Sequence, residues 1–110
     1  MKDKKYLQRI KEYSMKIQRY LGKVITVEEF LSNEEKVDAV LLNLEQIGET
    51  SKKLSENFKS VHNNIEWHKI AGLRNLISHD YEGVDLTIIY NIATSNIPAL
   101  LDELKKVNDK

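Results

Sequence analysis

The stretch Val37-Asp38-Ala39-Val40-Leu41-Leu42-Asn43-Leu44-Glu45-Gln46-Ile47-Gly48-Glu49-Thr50-Ser51-Lys52-Lys53-Leu54 decides the fold class. Val37, Val40, Leu41, Leu44, Ile47, Gly48, Ser51 and Leu54 recur at helical spacing. That pattern makes one stripe along an α-helix and no single face of a strand. Ser32 with Glu35 fits a capping box, in which a hydroxyl and a carboxylate satisfy free amides at a helix start. One long helix is therefore expected over residues 33–57. Gly48 costs roughly 1 kcal/mol against alanine in a helix interior, so its place in the stripe implies a packing reason. Together with Ser51 it would let another backbone approach closely.

Toward the N-terminus, Tyr6, Ile10, Tyr13, Ile17 and Tyr20 predict a helix over residues 3–22, which Gly22 can end. Three tyrosines in the stripe imply a partly wet edge, because each hydroxyl wants a partner. Thr26 with Glu29 fits a second capping box and opens a short turn across Val27–Leu31. Toward the C-terminus, residues 58–65 read as a loop. A third helix over 66–78 turns Trp67, Ile70, Leu73 and Ile77 inward, and Asp80-Tyr81-Glu82-Gly83 breaks it. Asp85 caps a fourth helix through Leu86, Ile89, Tyr90, Ile92 and Ala93. Pro98 then starts or kinks a last one over 99–107. The expectation is an all-α, antiparallel bundle of four to five helices, one domain over residues 1–110.

Composition narrows the function classes. A chain of 110 residues suits one modest core. Four glycines and one proline are too few for a turn-rich sandwich or barrel. The absence of cysteine excludes disulfides and thiolate metal sites. No apolar run follows the N-terminus and none approaches the roughly 20 residues of a membrane span, so a cytoplasmic protein away from membranes is expected. Net charge is zero, but residues 1–23 carry Lys2, Lys4, Lys5, Arg9, Lys11, Lys16, Arg19 and Lys23 against Asp3 and Glu12. This fits either a basic wall that attracts phosphates or a solvated lysine-rich face opposite an acidic neighbour.

Candidate chemistry gathers in Arg74-Asn75-Leu76-Ile77-Ser78-His79-Asp80-Tyr81. Arg74 offers a planar fork of donors that matches phosphate oxygens. His79, with an unperturbed pKa of about 6.5, can move protons at neutral pH. Tyr81 adds a phenolic hydroxyl. The same residues also fit a structural account: a surface ion-pair partner, a cation at a helix C-terminus, and a core aromatic with a wet tip. At about 100° per residue, Arg74 and His79 stand about 140° apart on a straight helix. Either the helix ends before His79, or a second chain completes the site in a two-fold dimer. No His/Asp/Glu clustering suggests a metal, and no cofactor is implied. His62 and His68 read as incidental surface histidines, and Trp67 as a core anchor.

Arg74-x4-His79-x-Tyr81 matches the signature of the HEPN superfamily. The segment Trp67-His68-Lys69-Ile70-Ala71-Gly72-Leu73-Arg74-Asn75 resembles its HepT-like subgroup. So do Asn43-Leu44-Glu45-Gln46-Ile47-Gly48-Glu49, Gly83-Val84-Asp85 and Ile97-Pro98-Ala99-Leu100-Leu101. The likeness runs over residues 3–104. It implies a helical bundle that dimerises through the motif helices, and a toxin paired with a minimal nucleotidyltransferase antitoxin as a homodimer or a higher heteromeric complex. It implies metal-independent cleavage of RNA, with Arg74 and His79 as the catalytic pair and Asn75 in support. Tyr81 would be the residue the partner modifies with adenylate, silencing the toxin. The alternative is a non-catalytic HEPN module that docks a nucleotidyltransferase or binds nucleic acid. His68 stands where relatives often carry a basic residue, which leaves a phosphate contact there open.

Overall fold

The computed structural model describes residues 2–23, 26–77 and 84–107. Among them there is no strand, and no helix is long and apolar enough to cross a membrane. The first helix, α1, spans Lys2–Leu21. Its buried side is Leu7, Ile10, Lys11, Ser14, Ile17 and Leu21, so the core stripe lies to one side of the tyrosines and Lys11 is withdrawn from the exposed basic face. Tyr6, Tyr13 and Tyr20 are half-buried along its border. Tyr6 and Tyr13 pack against the core from this border, as expected for an amphipathic aromatic. Gly22, at φ 55°, ends the helix and donates its N–H to the Gln18 carbonyl at 3.1 Å. Only glycine takes that left-handed conformation without steric cost.

The short helix α2, Val27–Leu31, starts on the expected Thr26/Glu29 capping box, with both reciprocal bonds formed. It inserts Phe30 fully into the core, its ring 5.6 Å from that of Tyr90. The next start is corrected by one residue. Asn33, not Ser32, caps α3, Glu34–Ser51, by accepting from the Lys36 N–H. Ser32 donates instead to the Glu29 carbonyl at 2.9 Å.

The long helix expected to residue 57 stops at Ser51. After a turn, Ser55 caps a further helix, α4, Glu56–Val61, which takes in the end of the expected long helix and the first part of the loop expected over 58–65. The cause is a tertiary competitor. Asp3 of α1 accepts from the Ser55 N–H at 2.8 Å and from its hydroxyl at 2.7 Å. An amide given to Asp3 is withdrawn from the α-helical ladder. The Ser55 hydroxyl in turn accepts from the Phe58 N–H.

Helix α5, Trp67–Ile77, buries Trp67, Leu73 and Ile77. The Trp67 indole donates to the His62 carbonyl at 3.0 Å, while Phe58 packs against both the His62 and Trp67 rings. His62 thus belongs to a local aromatic cluster, and Trp67 is the core anchor expected. Asp85 caps α6, Leu86–Asn91, accepting from the Thr87 and Ile88 amides. A π-helical turn, Ile92–Asn96, joins α6 to α7, Ile97–Val107. It ends two residues before Pro98, which has no N–H to give to a helical ladder.

The antiparallel α1 and α3 pack together, α3 against α5, and the α6–α7 rod closes the core. Ile10, Ile17, Phe30, Val40, Leu44, Ile47, Ile77, Ile89 and Leu104 are fully buried. The expected all-helical bundle is thereby formed, with α2 and α4 as short additions to its long helices.

Candidate active site

The site is built on the contact between α3 and α5. Gly48 of α3 lies so close to α5 that a Cβ there would stand 2.9 Å from the Arg74 backbone nitrogen and 3.2 Å from the Ile70 carbonyl oxygen. The missing side chain is what admits α5, as its place in the stripe implied. Leu73 and Ile77 anchor the same helix from the core side. Arg74, flanked by these anchors, is fixed at its backbone while its side chain reaches the surface.

The Arg74 Nε forms an ion pair with an Oε2 oxygen of Glu49, the residue after Gly48. The two side chains are 42% and 39% exposed. A pair this wet contributes little to stability, on the order of 0–1 kcal/mol. Its effect is geometric: one edge of the guanidinium is held by α3. Among the described residues, the terminal nitrogens of Arg74 have no hydrogen-bond partner and can serve an anionic ligand.

Sequence reasoning assigned no role to Glu49. The available signal was its position beside Gly48, because the residue after a close-contact glycine flanks the neighbouring helix. Asn75 is exposed on α5, one position beyond Arg74. His79 and Tyr81 lie outside the described residues. His68 is exposed and borders a shallow pocket with Glu56, Lys59, Ser60, Trp67 and Ala71. Among the described residues, no group of three or more His, Asp or Glu side chains is placed to hold a metal ion.

The other flank of α5 faces a groove of about 450 Å³. Ile70, Leu73, Leu76, Ile92, Ile97 and Leu100 supply most of its apolar lining. Leu76 remains 43% exposed there. Gly72 also borders the groove, and a Cβ on it would meet nothing within 4 Å. Helix α5 therefore carries a cationic edge toward α3 and an open apolar edge toward α7.

The family model described as "Ribonuclease HepT-like" matches residues 4–107. A protein of Thermococcus cleftensis named "Probable ribonuclease HepT" is 34% identical over 104 residues, covering 94% of each chain. A candidate RNase of Caldanaerobacter subterraneus subsp. tengcongensis is 34% identical over 106 residues, covering 96% of this chain and 93% of its own. A third relative, from Methanocaldococcus jannaschii, is named as a gamma-glutamylcyclotransferase joined to a candidate RNase. It is 34% identical over 105 residues, which cover 96% of this chain and 47% of that protein. No solved structure matches.

Proposed function

The chain belongs to the HepT-like ribonuclease family of the HEPN superfamily, and we propose that it is a metal-independent endoribonuclease whose catalytic pair is Arg74 and His79. The observation that carries this reading is the setting of Arg74. Gly48 lets α5 approach, Glu49 holds one edge of the guanidinium, and among the described residues the remaining donors are open to a phosphate.

The chemistry follows from the residue types. The 2′-hydroxyl of RNA attacks the adjacent phosphorus, the bond to the 5′-oxygen breaks, and a 2′,3′-cyclic phosphate and a 5′-hydroxyl remain. His79 takes the proton from the 2′-oxygen or returns one to the leaving 5′-oxygen. Arg74 faces the charge that grows on the phosphoryl oxygens. DNA lacks the attacking hydroxyl and is spared.

In the same reading the chain is the toxin of a toxin–antitoxin pair. Its partner, a minimal nucleotidyltransferase, joins the Tyr81 phenolic oxygen to the α-phosphorus of ATP and releases pyrophosphate. The adenylate adds negative charge and bulk beside Arg74 and His79, which repels an RNA phosphate. A two-fold dimer that brings two motif segments together completes the site. The apolar groove beside α5, with Leu76 half-exposed, supports that arrangement as a surface for a second copy.

The test is cleavage of RNA by purified protein in EDTA, with analysis of the product ends. Wild type should leave 2′,3′-cyclic phosphates, and Arg74→Ala and His79→Ala should each leave the RNA intact. Equal inertness of wild type and both variants would overturn the catalytic reading. Mass spectrometry of Tyr81 after co-expression with the nucleotidyltransferase tests the silencing step, which fails if the tyrosine stays unmodified.

A further inference from the structure

We infer that the border of α1 is a track for single-stranded RNA, in which Tyr6, Tyr13 and Tyr20 stack bases while Arg9, Lys16 and Arg19 take phosphates. The inference rests on the ribonuclease reading for the identity of the strand. The geometry behind it is separate from Arg74.

The tyrosines recur every seven residues. At about 1.5 Å of rise per residue they stand about 10 Å apart along α1. At about 100° per residue all three fall within a band of about 40°, and Arg9 and Lys16 fall in the next 40° toward solvent. Each ring already has a cation over it. Arg9 lies 5.9 Å from the Tyr6 centroid, Lys16 lies 6.0 Å from that of Tyr13, and Arg19 lies 5.5 Å from that of Tyr20. Lys53, from the turn after α3, adds a second cation 5.8 Å from Tyr6. These distances sit at the outer limit of a cation–π contact, where the attraction is weak and a base can displace the cation. A displaced cation is then beside a stacked base, where the phosphate of a single strand runs.

A membrane surface is the other common partner of a basic aromatic helix. It needs an apolar face to insert, and the apolar face of α1, with Leu7, Ile10, Ile17 and Leu21, is buried in the core.

The experiment is fluorescence anisotropy of the full chain with a labelled oligodeoxyuridylate of about twelve nucleotides, which cannot be cut through a 2′-hydroxyl, over a range of salt. For single strands, each lost phosphate contact lowers the slope of log K against log salt by about 0.7. Arg9→Gln with Lys16→Gln should therefore flatten the slope by about 1.4 units. Lys4→Gln with Lys105→Gln removes two exposed lysines off the track, one on the opposite side of α1 and one on α7, and should leave it nearly unchanged. Tyr13→Leu should weaken binding about tenfold at constant slope, and Tyr13→Phe should bind like wild type. The track is refuted if the Lys4/Lys105 pair flattens the slope as much as the Arg9/Lys16 pair. It is refuted equally if Tyr13→Leu, with helical circular dichroism intact, binds like wild type. Cleavage of RNA by the same preparations is read separately. A chain that binds through α1 but never cuts sinks the ribonuclease reading and leaves the track standing.

Discussion

Replacing Gly48 by alanine sets two opposing effects against each other. Alanine in a helix interior is favoured over glycine by roughly 1 kcal/mol, which alone would stabilise α3. The new Cβ, however, would lie 2.9 Å from the Arg74 nitrogen and 3.2 Å from the Ile70 oxygen. Both are backbone atoms of α5 and neither can rotate away, so the helices must part by about half an ångström. Overpacking of this kind costs about 1–3 kcal/mol. The cost exceeds the gain, and a net loss of about 1 kcal/mol, or about 4 °C in Tm, is expected. Gly72→Ala is the matched comparison, since it sits on α5 with open space around it. It carries the gain without the clash and should raise Tm by up to about 4 °C. Thermal unfolding followed by circular dichroism reads both. A Gly48→Ala protein at least as stable as wild type would refute the close approach of α3 and α5. With it would go the account of how Arg74 is placed.

Three further outcomes follow from the same contacts. Glu49→Gln should leave Tm within about 4 °C, because an ion pair this exposed is worth under about 1 kcal/mol. It should nonetheless lower RNA cleavage about tenfold by freeing the guanidinium to wander, which single-turnover rates would show. Asp3→Ala removes the acceptor for both donors of Ser55 and should cost about 1 kcal/mol in urea unfolding, with faster amide exchange at Ser55. Leu76→Glu, on the groove side of α5, should shift sedimentation toward a single chain without unfolding it. An unchanged sedimentation coefficient would count against this groove as the surface of the proposed dimer.

What could be read in advance was local. The Thr26/Glu29 box and the Asp85 cap each span four residues and are complete in the sequence. Gly22 and Gly48 also announced themselves, because glycine in a helical pattern needs a conformational or packing cause. The cap at Asn33 was displaced onto Ser32 because both side chains can accept from an amide and nothing local separates them. The break between α3 and α4 depends on Asp3, far away in sequence, and no window around Ser55 contains it. Glu49 was overlooked for the same reason: its meaning lies in Arg74 on another helix. Arg74 itself was legible from the motif. His79 and Tyr81 come from the same motif and lie outside the described residues.

The π-helical turn bears on how this chain can vary in length. Such a turn holds one residue more than an α-helix needs. Ile89, Ala93, Ile97, Leu100 and Leu104 are all buried, although they straddle it. Remove one residue between Ala93 and Ile97 and the same side chains fall at ordinary α-helical intervals, so α7 keeps its face to the core. The obstacle is Pro98, whose ring would then meet the carbonyl four positions back in an unbroken helix, at a cost of about 3 kcal/mol. The extra residue and the proline are thus a linked pair. Deleting Ser95 alone should destabilise the chain, whereas deleting it together with Pro98→Ala should restore a continuous helix that is one residue shorter.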